Sequence, residues 1–170
     1  MAYAFQQGYL DCLCGIYSIV NAEKVINNSS FEESQSLFNS IIKYLADKGE
    51  LEGIVTGGVY TSNILNIIKE LPVKRVSLFK NKKKFSGIDS WWDYSVMFIK
   101  YNPNSAIILS IGGRQDHVTV VKSMTGRAMT LLDSGGIKII RKTSCDIKGY
   151  EGADKFVIYP YQNLYLVKES

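Results

Sequence analysis

Cys14-Gly15-Ile16-Tyr17-Ser18-Ile19-Val20-Asn21-Ala22-Glu23-Lys24-Val25-Ile26-Asn27 is the stretch on which the fold turns. Ile16, Ile19, Val20 and Ile26 recur at roughly helical spacing, which predicts a helix that starts near Cys12–Gly15 and ends at Asn27-Asn28. Just beyond it, Ser30-x-x-Glu33 is a capping-box pattern, in which each side chain satisfies the other residue's backbone N–H. It opens a second helix with Leu37, Ile41, Ile42 and Leu45 on one face, stopped by Gly49. A glycine-containing loop through Gly53, Gly57 and Gly58 is expected next. A third helix over about 60–71 carries Ile64, Leu65, Ile67 and Ile68 and ends before Pro72.

After Pro72 the period changes. Val73–Phe79 alternates like a strand, and Trp91–Tyr101 reads as a helix with two tryptophans as core anchors. Strand-like runs then crowd together: Ala106–Ile111, Val118–Ser123, Ala128–Asp133, Ile137–Arg141, Phe156–Tyr161 and Leu164–Val167. Thr125-Gly126 and Gly135-Gly136 are turn signals between them. Helices first and mostly antiparallel strands second give an α+β class, in one domain spanning 1–170.

Apolar residues make up 46% and charged residues 21% of the chain, enough to build one packed core and too apolar for general disorder. The net charge of +4 is too weak to argue for nucleic acid. Much of the excess sits in Lys80, Lys82, Lys83 and Lys84, which read as a solvated loop. Met1-Ala2-Tyr3-Ala4-Phe5-Gln6-Gln7 has no basic start and no long apolar run, so no signal peptide is expected. No apolar stretch approaches membrane-spanning length, and a cytoplasmic protein without membrane contact is the expectation. Three cysteines, an odd number, argue against a disulfide framework. A single histidine and a Cys-x-Cys spacing make zinc a poor fit, and neither a metal nor another cofactor is expected.

Reduced thiols with a chemical role are the remaining reading. A thiol reacts as its thiolate, which a helix N-terminus and a nearby imidazole both favour. Cys12 and Cys14 fall where the first helix begins. Gly15, lacking a side chain, is expected to let a substrate carbonyl approach the backbone, where the nucleophile's own N–H can join an oxyanion site. His117 is the chain's one imidazole and opens the run His117-Val118-Thr119-Val120-Val121. A hairpin turning near Thr125-Gly126 brings Asp133 to the same end as His117, nearly opposite it, where a carboxylate would fix the tautomer and favour the charged ring. Gln6 and Gln7, just before the cysteines, offer a side-chain amide that can donate to an oxyanion.

Gln7-Gly8-x-Leu10-Asp11-Cys12-Leu13-Cys14-Gly15-Ile16-Tyr17-Ser18 resembles the glutamine-plus-cysteine-helix segment of papain-like cysteine peptidases, closest to the bacterial C39-like group. Asp116-His117-Val118-Thr119-Val120-Val121, followed by Leu131-Leu132-Asp133-Ser134-Gly135-Gly136, resembles that group's histidine and aspartate block. The order Gln, Cys, His, Asp is the family's order, over about 7–136 of the chain. The resemblance implies a papain-like fold, Gln7 as oxyanion donor, Cys14 as nucleophile, His117 as general base and then acid, and Asp133 as its orienter. Some family members place the nucleophile directly after aspartate, which selects Cys12, and Gln6 stands at the papain-like offset from Cys12. The Cys14-Gly15-x-Tyr17-Ser18 helix start favours Cys14, and both thiols remain candidates. Cys145, far from the motif, reads as structural.

The implied activity is that of a cysteine hydrolase, a peptidase acting on a protein or peptide substrate. Deamidation, transamidation and acyl transfer to an amine share its acyl-enzyme. Two other classes compete: a catalytically silent peptide-binding module on the same fold, and a basic interaction domain using Lys80–Lys84. The intact Cys, His and Asp set speaks against the silent module.

Overall fold

A computed structural model describes residues 3–8, 11–71, 76–80, 83–147 and 154–169. The first helix, α1 (Cys14–Asn27), begins at Cys14, so Cys12 lies two residues before it. It ends where Asn28 turns left-handed at φ 54° and its N–H closes on Lys24. The second, α2 (Phe31–Asp47), has the expected cap. Ser30 Oγ accepts from the Glu33 N–H at 3.2 Å, and Glu33 accepts from the Ser30 N–H at 2.9 Å.

The glycine loop expected at 53–58 is instead a short helix, α3 (Leu51–Gly57). Leu51, Ile54 and Val55 share one face and pack on the core. Gly53 and Gly57 have open space around them and ordinary backbone angles, so neither needs to be glycine. The glycine that matters is Gly58, whose φ of 84° ends the helix. Next come α4 (Thr61–Glu70), β1 (Val76–Lys80) and α5 (Ile88–Tyr101). Of the strand expected at Val73–Phe79, residues 73–75 lie outside the described residues. So does Lys82 of the lysine cluster. Lys83 lies over the rings of Phe85 and Tyr94, at 5.9 and 5.4 Å from their centroids.

The remaining strands are β2 (Ser105–Gly113), β3 (His117–Met124), β4 (Ala128–Leu132), β5 (Ile139–Arg141), β6 (Cys145–Asp146), β7 (Phe156–Ile158) and β8 (Leu164–Lys168). The run expected at Phe156–Tyr161 breaks after Ile158, because Pro160 cannot donate to a ladder and starts a 3-10 turn over Pro160–Gln162. The main sheet has the order β1-β8-β2-β3-β4-β5 and is antiparallel throughout. The short β6–β7 pair is parallel, so the sheet as a whole is mixed.

Alternation along the strands builds two cores, one on each face. Ala106, Ile108, Val120, Leu132, Leu164 and Leu166 pack with α1, α2 and α4. Ile107, Leu109, Ile111, Val121, Leu131 and Tyr165 pack with Trp91 and Trp92 of α5. Helices thus cover both faces of the central strands in an α+β domain. Helix α1 lies along β3, with its N-terminus at the His117 end. Ser18 makes that alignment: its Oγ stands 2.8 Å from the Cys14 carbonyl oxygen and 3.0 Å from that of Val118.

Candidate active site

A β-bulge sets up the His117–Asp133 pair. From the turn, the β3–β4 ladder runs Met124 with Met129 and Ser123 with Thr130; past the bulge it runs Val121 with Leu131 and Val120 with Leu132. Lys122 is the extra residue. Were the ladder regular from the turn, with Lys122 paired to Leu131, Asp133 would fall opposite Val120, whose side chain enters the helix-facing core. With the bulge, the register carried one step past the Val120–Leu132 pair brings Asp133 level with Thr119, on the face that His117 also uses. The expected near-opposite placement is therefore corrected to a diagonal one, two residues apart, still within side-chain reach. Asp133 Oδ1 lies 2.6 Å from His117 Nε2, both groups buried.

Asp133 is itself held. Its Oδ2 accepts from the Gly135 N–H at 2.9 Å and the Ile137 N–H at 2.8 Å. The aspartate thus shapes the Ser134-Gly135 turn and orients the imidazole at once. With Nε2 facing Asp133, Nδ1 is the ring nitrogen left for a thiol, and the thiol His117 meets is Cys14. Cys12 is exposed and bonds elsewhere. Its N–H donates to the Val55 carbonyl at 3.0 Å and its Sγ to that of Thr56 at 3.5 Å, tying the segment before α1 to α3.

No family model, curated protein or solved structure matches this chain. The chemistry of the site therefore follows from its own atoms. Burial is the largest influence on the Cys14 thiol and raises its pKa. The His117 side chain, the Val118 N–H, the His117 charge and the Gly15 N–H outweigh it and hold the thiol below its ordinary value. Burial also disfavours the imidazolium of His117, but hydrogen bonds to Asp133 and Cys14 and their negative charges push its pKa up to about 9. Burial opposes the Asp133 charge too, and His117, Thr119 and the Ile137 N–H reverse that effect, leaving the carboxyl below its usual range. The Thr119 hydroxyl acts at short range without a well-formed hydrogen bond. A lowered thiol and a raised imidazole favour a Cys14 thiolate–His117 imidazolium pair around neutral pH.

Gln7 is brought to the same place. Its N–H donates to the Ser134 carbonyl at 3.2 Å, and the Ser134 hydroxyl donates to its Oε1 at 3.5 Å. That leaves the Gln7 amide NH2 as the free donor. Gln6 is exposed and lies outside the cleft wall. Cys14, as first residue of α1, has no intrahelical partner for its N–H. Gln7, Cys14 and His117 line one cleft of about 850 Å3, walled by Gly58–Ser62 on one side and by Tyr159, Tyr161 and Gln162 on the other.

Gly15 plays a different part from the expected one. It is buried and faces α4; a β-carbon there would stand 2.9 Å from Val59 Cβ and 3.2 Å from Ile64 Cδ1. Its small size serves helix packing and does not open the backbone to substrate. Cys145 is buried, donates to the Arg141 carbonyl at 3.4 Å, and has its thiol pushed up to about 12 by burial, so it is unreactive. Among the described residues, no group of three or more His, Cys, Asp or Glu side chains is arranged to hold a metal ion. No described helix is long and apolar enough to cross a membrane. In the sequence Asp11 counts only as the aspartate directly before Cys12; the structure gives it a turn role. Its Oδ2 accepts from Gly8 at 2.8 Å and its Oδ1 from Leu13 at 3.2 Å, which fixes the turn into α1.

Proposed function

We propose that the chain is a papain-like cysteine hydrolase, a peptidase in its simplest form, with Cys14 as nucleophile, His117 as acid–base and Asp133 as orienter. One observation carries the reading: the thiol at the start of α1 shares the chain's one imidazole with a carboxylate 2.6 Å behind the ring, at the mouth of an open cleft. A half-buried, lowered thiol beside a buried His–Asp pair is what acyl transfer needs, and packing alone supplies no reason for it.

The thiolate attacks the substrate carbonyl carbon. The oxyanion that forms is held by the Gln7 amide and the Cys14 N–H. His117 gives its Nδ1 proton to the leaving amine as the C–N bond breaks, and a thioester to Cys14 remains. His117, now neutral, takes a proton from water, and the hydroxide attacks the thioester. Collapse releases the acid and restores the ion pair. Asp133 keeps the proton of the neutral ring on Nε2, so that Nδ1 is the basic nitrogen throughout.

An activated ester tests this without knowledge of the natural substrate. With p-nitrophenyl acetate, the protein is expected to release a burst of about one p-nitrophenol per molecule and to gain one acetyl group on Cys14, located by peptide mass spectrometry. Acetyl on Cys12 alone, or no adduct on any thiol, contradicts the proposal.

A further inference from the structure

The charges around the cleft run against those of the chain as a whole. The protein carries a net +4, yet none of the described residues lining the cleft is lysine or arginine. Asp11 and Asp116 both line it. The Cys14 thiolate, the His117 imidazolium and the Asp133 carboxylate together leave one further negative charge. The nearest basic residue in sequence, Arg114, lies over the Phe156 ring, 5.8 Å from its centroid, and is not part of the wall. A cleft with low-dielectric walls and charges of one sign concentrates counter-ions of the other.

The aromatic lining supports the same ligand. Tyr159 and Asp116 are drawn together over Gly112 on β2: a β-carbon there would run into the Tyr159 hydroxyl and stand 2.8 Å from Asp116 Oδ1. Tyr60 and Tyr161 are large, exposed rings at the rims of the two walls. Aromatic faces beside a carboxylate suit a long side chain that ends in a cation, because the rings cover its methylenes and attract its charge. Asp116 immediately precedes His117, so a group bound there sits next to the reacting centre.

Resting on the acyl-transfer reading, we propose that the substrate carries a lysine or arginine side chain beside the scissile bond. Asp116 and Tyr159 bind that cation.

Three small thiol reagents separate this inference from the reading beneath it: iodoacetamide, which is neutral; aminoethyl methanethiosulfonate, a cation; and sulfonatoethyl methanethiosulfonate, an anion. Rates are followed at Cys14 alone by peptide mass spectrometry and normalised to those of a free small thiol. The cationic reagent is expected to outpace the anionic one by about tenfold or more, against the sign of the protein's net charge. In Asp116→Asn that ratio, each rate taken relative to the same protein's iodoacetamide rate, falls several-fold, and in Asp116→Lys the preference reverses. Fast iodoacetamide labelling with no preference for the cation overturns the substrate proposal and leaves the nucleophile standing, as does a ratio that Asp116→Asn leaves unchanged. Iodoacetamide labelling no faster than that of a free thiol overturns both.

Discussion

His117→Ala is expected to slow acetylation of Cys14 by p-nitrophenyl acetate by a factor of about 10²–10⁴ at neutral pH. Two losses combine. The thiol loses the hydrogen bond and the positive charge that hold its pKa down, while the burial that raises it remains, so the thiolate fraction falls. The acyl-enzyme also loses the only imidazole available to activate water. The substitution removes the cation from a buried carboxylate, so folding stability falls as well, and rates are to be compared per folded molecule by circular dichroism. Added imidazole separates chemistry from structure, since partial restoration of turnover requires a missing proton carrier. A His117→Ala protein that acetylates at the wild-type rate would show that the ring has no chemical part.

Asp133→Asn is expected to reduce turnover by about 10²–10³ while the protein keeps its fold. The reason lies in the two backbone donors on the far side of the carboxylate. The N–H groups of Gly135 and Ile137 require an acceptor, so an asparagine must turn its oxygen toward them and its NH2 toward His117 Nε2. Nε2 must then accept, the neutral ring carries its proton on Nδ1, and that nitrogen can no longer take a proton from Cys14 or from water. The pH profile moves in a stated direction. The active ion pair exists between the lowered titration of Cys14 and the raised one of His117, about 9. Without the Asp133 charge, His117 loses its proton at lower pH, so the alkaline limb shifts toward neutrality. Asp133→Ala also leaves both N–H groups without an acceptor and is expected to lose about 2–4 kcal/mol of stability, read from the urea midpoint. Equal turnover and equal alkaline limbs in wild type and Asp133→Asn would make the carboxylate a turn residue only.

Elements with a strong apolar period were legible in the sequence. Helix α1, the capped α2 and the β3–β4 hairpin follow from Ile16, Ile19 and Val20, from Ser30 and Glu33, and from the turn at Thr125-Gly126. Helix α3 was hidden because two glycines weigh against helix locally, and the burial of Ile54 that outweighs them is a tertiary effect. The bulge at Lys122 was hidden for a similar reason: one unpaired residue changes which side chains share a face, yet Lys122 itself is an ordinary exposed lysine.

The candidate site divides the same way. Cysteine, histidine and aspartate announce themselves by their chemistry. Ser18, Ser134 and Thr119, which align α1 with β3, hold Gln7 and face Asp133, are common polar residues whose roles appear only when distant segments meet. The choice between Cys12 and Cys14 lay beyond local sequence, because it depends on which thiol the helix start presents to a strand about a hundred residues away.

The pH dependence of iodoacetamide labelling, resolved at each cysteine, tests the thiolate–imidazolium pair most directly. Cys14 is expected to react rapidly at pH values where a free small thiol is still slow, with its midpoint below that of an ordinary thiol, and His117→Ala is expected to move that midpoint up. Coincident profiles for Cys14 and a free small thiol, unchanged in His117→Ala, would contradict the account.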